Sequence, residues 1–345
     1  MIWICFYILI VWRLLVVHTE SLALNSSSNQ KGVLEKDNDD ALVQVWDDVL
    51  TEELCQILHQ QEQERQERQQ PHYLLKRPLN KNDEEEETSL FTLLERVLDG
   101  ILTELGDDSM YVEYWSRTEW KHLEAHIDID EYLAKEFPTT SFQYPNHGHV
   151  LYLQVGTDVR GPTCIISPST VTTVPAVQGR LTRFRGTSWH TVPRPTNRWT
   201  ISFVKGAPKH TPTTQWGRHV VLFNTWNNKP PHNIHPISSS SSSSSSTTDI
   251  TDNPTEQSCD DSNIIPRFSM WNKVQPQDHP KKGDDDWGTA KIWLLGNEQR
   301  RQYPMRTVPI QMPLSILEDA LYDPSKMYYI PYQSSQNTPF EETIG

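Results

Sequence analysis

From Met110 onward the sequence turns into short β-rich runs divided by proline and glycine: YVEYWSRTEW, HVLYLQVG, TCIIS, TTVPAV, LTRFRG, WHTVP, RWTISFV and RHVVLFNTW. Many short strands at close spacing predict a sandwich or barrel-like all-β core. With 345 residues the chain is long enough for one large β-rich domain or two small ones, and one catalytic domain with extensions is expected. The formal net charge of −14 argues against a grip on phosphate backbones, so nucleic acid is not an expected partner.

The regions flanking the β-rich stretch have other textures. Residues 1–23 form an apolar leader, broken by Arg13 and ending in Ser21-Leu22-Ala23. It reads as a cleaved secretory signal, or alternatively as an uncleaved anchor attaching the protein to a membrane. Either places the domain in the secretory lumen, and the sequon Asn25-Ser26-Ser27 suits that exposure. Residues 24–40 are a polar linker. Residues 41–109 are expected to be a helical support region that opens with an alternating strand, Leu42 to Trp46. Thr51 then caps a helix whose continuation, QQEQERQERQQ at 60–70, is expected to be a solvated end or linker. Thr88 or Ser89 is expected to cap a second helix carrying Leu90, Leu93, Leu94, Val97, Leu98, Ile101 and Leu105 along one face. Residues 110–230 are the β core, and 231–263 a serine-rich linker. Residues 264–345 are a C-terminal extension, whose alternating KIWLL suggests an extra strand on the main domain. Outside the leader only Cys55, Cys164 and Cys259 remain, which implies neither a zinc cluster nor a disulfide framework.

The chemistry lies inside the β region. In EWKHLEAHIDIDEY, His126 and Asp128 are two apart, so an extended strand directs both to one face where they can chelate one metal. About sixty residues later RFRGTSWHTVPRP supplies His190, which would complete a two-His-one-carboxylate triad with an open face. Other histidines, His122, His147 and His149, are expected to be loop residues or partners of the ligands.

Four segments around this set resemble the prolyl 4-hydroxylase-like branch of the iron(II)- and 2-oxoglutarate-dependent oxygenases, in that family's order. Tyr111 and Tyr114 precede His126-Ile127-Asp128; Tyr152-Leu153 is followed by Gly161-Pro162-Thr163, lacking the family's second glycine. Pro175, Gly179 and Phe184 precede His190, and Asn197-Arg198-Trp199 follows it. The resemblance implies a mainly β fold, a double-stranded β-helix of the jelly-roll or cupin-like kind with supporting N-terminal helices. It also implies His126, Asp128 and His190 as ligands of Fe(2+), with 2-oxoglutarate and dioxygen as cosubstrates, L-ascorbate as a reductant, and hydroxylation of an unspecified substrate. The family holds the far carboxylate of 2-oxoglutarate with a basic residue after the distal histidine. Arg198, eight residues after His190, is the first candidate and Arg218 the rival, with Tyr152 or Tyr114 as a phenolic donor to the same carboxylate. Two other classes remain: a catalytically silent β-helix domain binding a ligand or carbohydrate, and a zinc hydrolase with Glu124 as its base.

Overall fold

The computed structural model describes residues 43–66, 72–78, 91–117, 123–137, 142–157, 162–192, 218–227, 229–236, 271–277, 287–293, 307–322 and 326–334. The leader, the polar linker, the serine run, His122, Arg198, the RWTISFV segment and Cys259 lie outside them.

In chain order the elements are strand β1 (Val43–Asp47), helix α1 (Glu52–Gln66), β2 (Tyr73–Lys76), α2 (Leu93–Glu104), β3 (Tyr111–Arg117), β4 (Leu123–His126) and the short α3 (Glu131–Glu136). Then come β5 (His147–Val155), β6 (Thr163–Ile166), β7 (Thr170–Val174), β8 (Leu181–Arg185), β9 (Trp189–Val192) and β10 (Arg218–Trp226). The C-terminal part supplies β11 (Asn272–Lys273), β12 (Trp287–Trp293), β13 (Thr307–Pro313), α4 (Leu314–Tyr322), β14 (Tyr328–Pro331) and β15 (Gln333–Ser334).

The larger sheet runs β11-β1-β8-β5-β10-β3-β2 and the smaller one β14-β7-β6-β9-β4. All the strand pairs in both are antiparallel. Between β3 and β10 the chain passes back and forth between the sheets, so that β8-β5-β10-β3 faces β7-β6-β9-β4. That winding is a double-stranded β-helix, and it makes the chain mainly β with helices confined to its flanks.

Three apolar layers follow from the alternation of side chains along the strands. Val150, Tyr152, Phe184 and Val220 of the larger sheet meet Ile165 and Val174 of the smaller one inside the β-helix. On the outer face of the larger sheet, Val112, Tyr114, Leu151, Leu153, Val221 and Phe223 pack against Leu54, Leu58, Leu94, Val97, Leu98 and Ile101 of α1 and α2. On the outer face of the smaller sheet, Ala125, Cys164, Ile166 and Trp189 pack against β12, β13 and α4, and β14 joins that sheet beside β7.

Two local expectations change. The second helix is capped by Thr92 rather than Thr88 or Ser89, because Thr92 and Glu95 form a reciprocal capping box at its first turn. The polar end of α1 is solvated at Gln60, Gln61, Gln63 and Glu64, as expected, but not on every side: Glu62 is buried, accepting from the Ser116 hydroxyl and pairing with Arg65 at 3.1 Å.

Candidate metal centre and its pocket

His126 ends β4, where a register irregularity against β9 accompanies its pairing opposite His190. The ring centroids of the two imidazoles are 4.1 Å apart. Asp128, in the turn after β4, reaches back to them. One ligand atom from each of His126, Asp128 and His190 lies within 4.8 Å of the other two, and no other such group of three occurs among the described residues.

The imidazoles are oriented by backbone. His126 Nδ1 bonds the Glu124 carbonyl at 2.8 Å and His190 Nδ1 bonds the Ser188 carbonyl at 3.2 Å. A carbonyl only accepts, so each Nδ1 carries the proton and each Nε2 presents a bare lone pair. Those Nε2 atoms face Asp128, at 3.5 Å from Oδ1 for His126 and 3.8 Å from Oδ2 for His190. Asn224 on β10 donates its amide to Asp128 Oδ2 at 3.2 Å, which fixes the carboxylate plane. Without an ion between them, burial raises the Asp128 carboxyl, but the positive charge of His190 and His126 when protonated, with the Asn224 bond, outweighs it and holds the group well below the usual carboxylate range; a bound cation replaces those protons. Two neutral nitrogen donors and one ionised oxygen donor on one face is a donor set suited to a divalent transition ion.

These groups line a cavity of about 200 Å³ inside the β-helix. Its other walls come from inward residues two apart along the strands: Glu113, Trp115 and Arg117 of β3, and Arg218, Val220, Leu222 and Asn224 of β10. Arg218 is buried, and its Nη1 has no hydrogen-bond partner among the described residues. Burial lowers the guanidinium's pKa from its ordinary value, the Tyr152 phenol opposing the shift and Arg117 adding to it. A buried, unpaired cation facing a cavity has room for a carboxylate.

The remaining sequence candidates separate by strand face. Tyr152 points inward beside Arg218, whose guanidinium carbon lies 6.0 Å from its ring centre, and its hydroxyl bonds Thr163 Oγ1 at 2.7 Å. Tyr114 does not belong to the pocket. One position from the inward Glu113 and Trp115, it points outward to the helices, donating to Glu95 and accepting from Arg65. Nor do His147 and His149 reach the cluster: His147 bonds Arg183, and His149 stacks on Phe223 with Nδ1 to the Phe223 carbonyl. Glu124 gives His126 its carbonyl, and its carboxylate is not among the described walls of the cavity.

Sequence reading missed Arg117, Trp115, Glu113 and Asn224. Alternation sorts each strand into two faces, but a sequence alone does not say which of them becomes the wall, so Glu113, Trp115 and Arg117 could not be told from the set that contains Tyr114. A second cavity of about 350 Å³ adjoins the first and shares His72, Glu113, Ile129 and Glu131 with it.

Fold and site together define the class: a double-stranded β-helix with a His-x-Asp…His set on its inner face. No family model matches the sequence, and no curated protein matches it. Among solved structures, the chain is similar to a Pseudomonas putida prolyl-4-hydroxylase at 12% identity, covering 55% of this chain and 89% of that one, with a TM-score of 0.33. It is similar to a viral collagen prolyl hydroxylase from Paramecium Bursaria Chlorella virus-1 at 10% identity, 60% and 99% coverage and a TM-score of 0.33. HygX from Streptomyces hygroscopicus, solved with nickel and 2-oxoglutarate bound, is similar at 13% identity, 55% and 84% coverage and a TM-score of 0.32.

Proposed function

We propose that this protein is an oxygenase that uses ferrous iron and 2-oxoglutarate to hydroxylate a C–H bond. The observation that carries the reading is one cavity with three converging ligand atoms at one end and, at the other, a buried guanidinium unpaired among the described residues. His126, Asp128 and His190 would hold the ion and leave its pocket side open. Arg218 would pair with the far carboxylate of 2-oxoglutarate, and the Tyr152 hydroxyl, already turned toward Thr163 on the cavity wall, would lie next to it. When bound, the metal and cosubstrate supply oxidation by dioxygen, with 2-oxoglutarate converted to succinate and carbon dioxide. The chain itself orients the donors, keeps the interior dry with Val150, Phe184, Val220 and Leu222, and presents the primary substrate through the adjoining cavity. Ascorbate would serve to keep the iron reduced. The apolar leader and the sequon at Asn25 support a place in the secretory lumen, which N-terminal sequencing of secreted or microsomal protein tests.

The test is anaerobic titration of the protein with iron(II) and then 2-oxoglutarate, followed by the weak visible charge-transfer band of the chelate. A band at saturating ligand is expected, and Arg218→Gln should weaken 2-oxoglutarate about ten- to a hundredfold while leaving iron binding unchanged. Well-folded protein that binds iron but never develops the band would return the chain to the class of binding domains. The parallel variant Arg198→Gln settles the choice between the two arginines, and a larger loss there than at Arg218 would reverse this assignment.

A further inference from the structure

Arg218 is not the pocket's only guanidinium. Arg117, at the end of β3, faces the same cavity, and neither the three converging ligands nor the Arg218 subsite employs it. Its place is fixed by register. On the paired strands Arg117 stands opposite Val220, Trp115 opposite Leu222 and Glu113 opposite Asn224. Asn224 marks the metal end, because its amide holds Asp128. Arg218 marks the other end, so Arg117 lies along the stretch between them.

Few described carboxylates compete for this cation. Glu113, on the same wall, is engaged with His72 at 2.7 Å, and Asp128 is committed to the two imidazoles and Asn224. No described residue makes an ion pair within 4.0 Å with Arg117 or Arg218. The two guanidiniums also oppose one another: burial lowers the pKa of each, and each is within electrostatic reach of a charge in the pocket, Asp128 for Arg117 and Arg117 for Arg218. With a divalent ion added, the ion and the two guanidiniums together still outweigh the lining carboxylates of Asp128, Glu113 and Glu131. A ligand with two negative charges spread along its length offsets that surplus, whereas a monoanion at Arg218 leaves the half-buried Arg117 without a counterion.

Resting on the oxygenase reading above, we infer that Arg117 is a second cosubstrate-binding residue, its guanidinium donating to the carboxylate beside the keto group of 2-oxoglutarate while Arg218 takes the distal carboxylate. The cavity is thereby selective for a 2-oxo dicarboxylate from both ends. The keto-acid end is steered toward the metal by a protein cation as well as by the metal itself. A substrate-facing role for Arg117 is the outcome to be distinguished.

Truncated ligands separate the ends. Binding of 2-oxoglutarate and of 2-oxobutyrate, which keeps the keto-acid end and lacks the distal carboxylate, is measured by anaerobic calorimetry on the manganese(II)-loaded full chain, after manganese affinity alone. Arg117→Gln should weaken both ligands by the same factor, on the order of ten- to a hundredfold. Arg218→Gln should weaken 2-oxoglutarate and leave 2-oxobutyrate unchanged. Arg117→Lys keeps the charge without the fork and should recover part of the loss for both; it also carries the test should the glutamine variant fail to fold. Unchanged affinities in both Arg117 variants, or a loss confined to 2-oxoglutarate, would overturn the inference while leaving the oxygenase reading standing. Manganese binding without any 2-oxoglutarate binding by the unaltered protein would remove that reading, and this inference with it.

Discussion

Gly148 illustrates how closely the candidate metal ligands depend on residues outside their own set. It stands on β5 opposite Phe184 on one side and Asn224 on the other. A Cβ added there would lie 2.6 Å from the Phe184 ring and 3.4 Å from Asn224 Oδ1. Phe184 packs on His190 at 4.9 Å between centroids, and Asn224 holds Asp128, so one methyl group would press on the supports of two ligands. Gly148→Ala is therefore expected to lower divalent-metal affinity about ten- to a hundredfold, the usual effect of disturbing groups that orient ligands. Manganese(II) calorimetry checks it, and Gly148→Ala combined with Phe184→Leu, which gives the ring's space back, should recover part of the loss. An undiminished affinity in the single variant would show that the neighbours yield without moving the ligands. The triad was legible in sequence because His126 and Asp128 are close along the chain and His190 lies at a recognisable strand start. Gly148, Asn224 and Arg117 were not, because their meaning comes from pairing with residues about seventy to a hundred positions away.

At the scale of elements, what stayed hidden in α1 was the one docked side of its otherwise solvated polar end, and it has the same cause. A stretch rich in Gln, Glu and Arg looks solvated on its own; only the outer face of β3 and β10 supplies Ser116 for Glu62, Tyr114 for Arg65 and His219 for His59. Tyr114 was misassigned for the complementary reason, since a run such as YVEYW does not say which set of alternate residues faces inward. The β-helix strands themselves were legible from their length, punctuation and composition, and α2 from its apolar spacing, whereas its cap had to be located by the Thr92–Glu95 pair. The docking of α1 carries a pH dependence. His59 and His219 approach through their Nδ1 atoms, and burial, with His59 adding to it, lowers the His219 pKa from 6.5 to about 3. Because the unfolded chain binds this proton more readily than the folded one, the pair's stabilisation is present above pH 6.5 and is lost as pH falls from there toward 3. Urea denaturation should show stability falling by up to about 1.4 kcal/mol per pH unit through this window from this group alone. In His219→Phe that component of the slope should disappear, and an unchanged slope would place the pH dependence elsewhere.

Across the whole molecule, the candidate metal centre is assembled only when the two sheets are closed on each other. His126 and His190 belong to the smaller sheet, Asn224 and Arg218 to the larger, and Asp128 to the turn between them. The smaller sheet is in turn backed by β12, β13 and α4, whose Ile310, Met312 and Ile316 are almost fully buried against the layer that includes Ala125 and Trp189. An unfolded chain holds His126, Asp128 and His190 far apart, so a divalent ion held by all three would bind the native state with strong preference and stabilise it by mass action. Manganese(II) at about a hundred times its dissociation constant is expected to add roughly 2.7 kcal/mol to the unfolding free energy. For a domain of this size that corresponds to a rise in Tm of about 5 °C or more in a calorimetric scan, reversed by a chelator. In Asp128→Ala the rise should vanish, because two imidazoles alone make a far weaker site. Ile310→Asp offers the converse: a charge buried in the backing layer, remote from the ion, should lower the metal-free Tm while the metal-induced rise persists at saturating manganese. A rise retained in Asp128→Ala would mean that the ion binds elsewhere and that these ligands do not form the site.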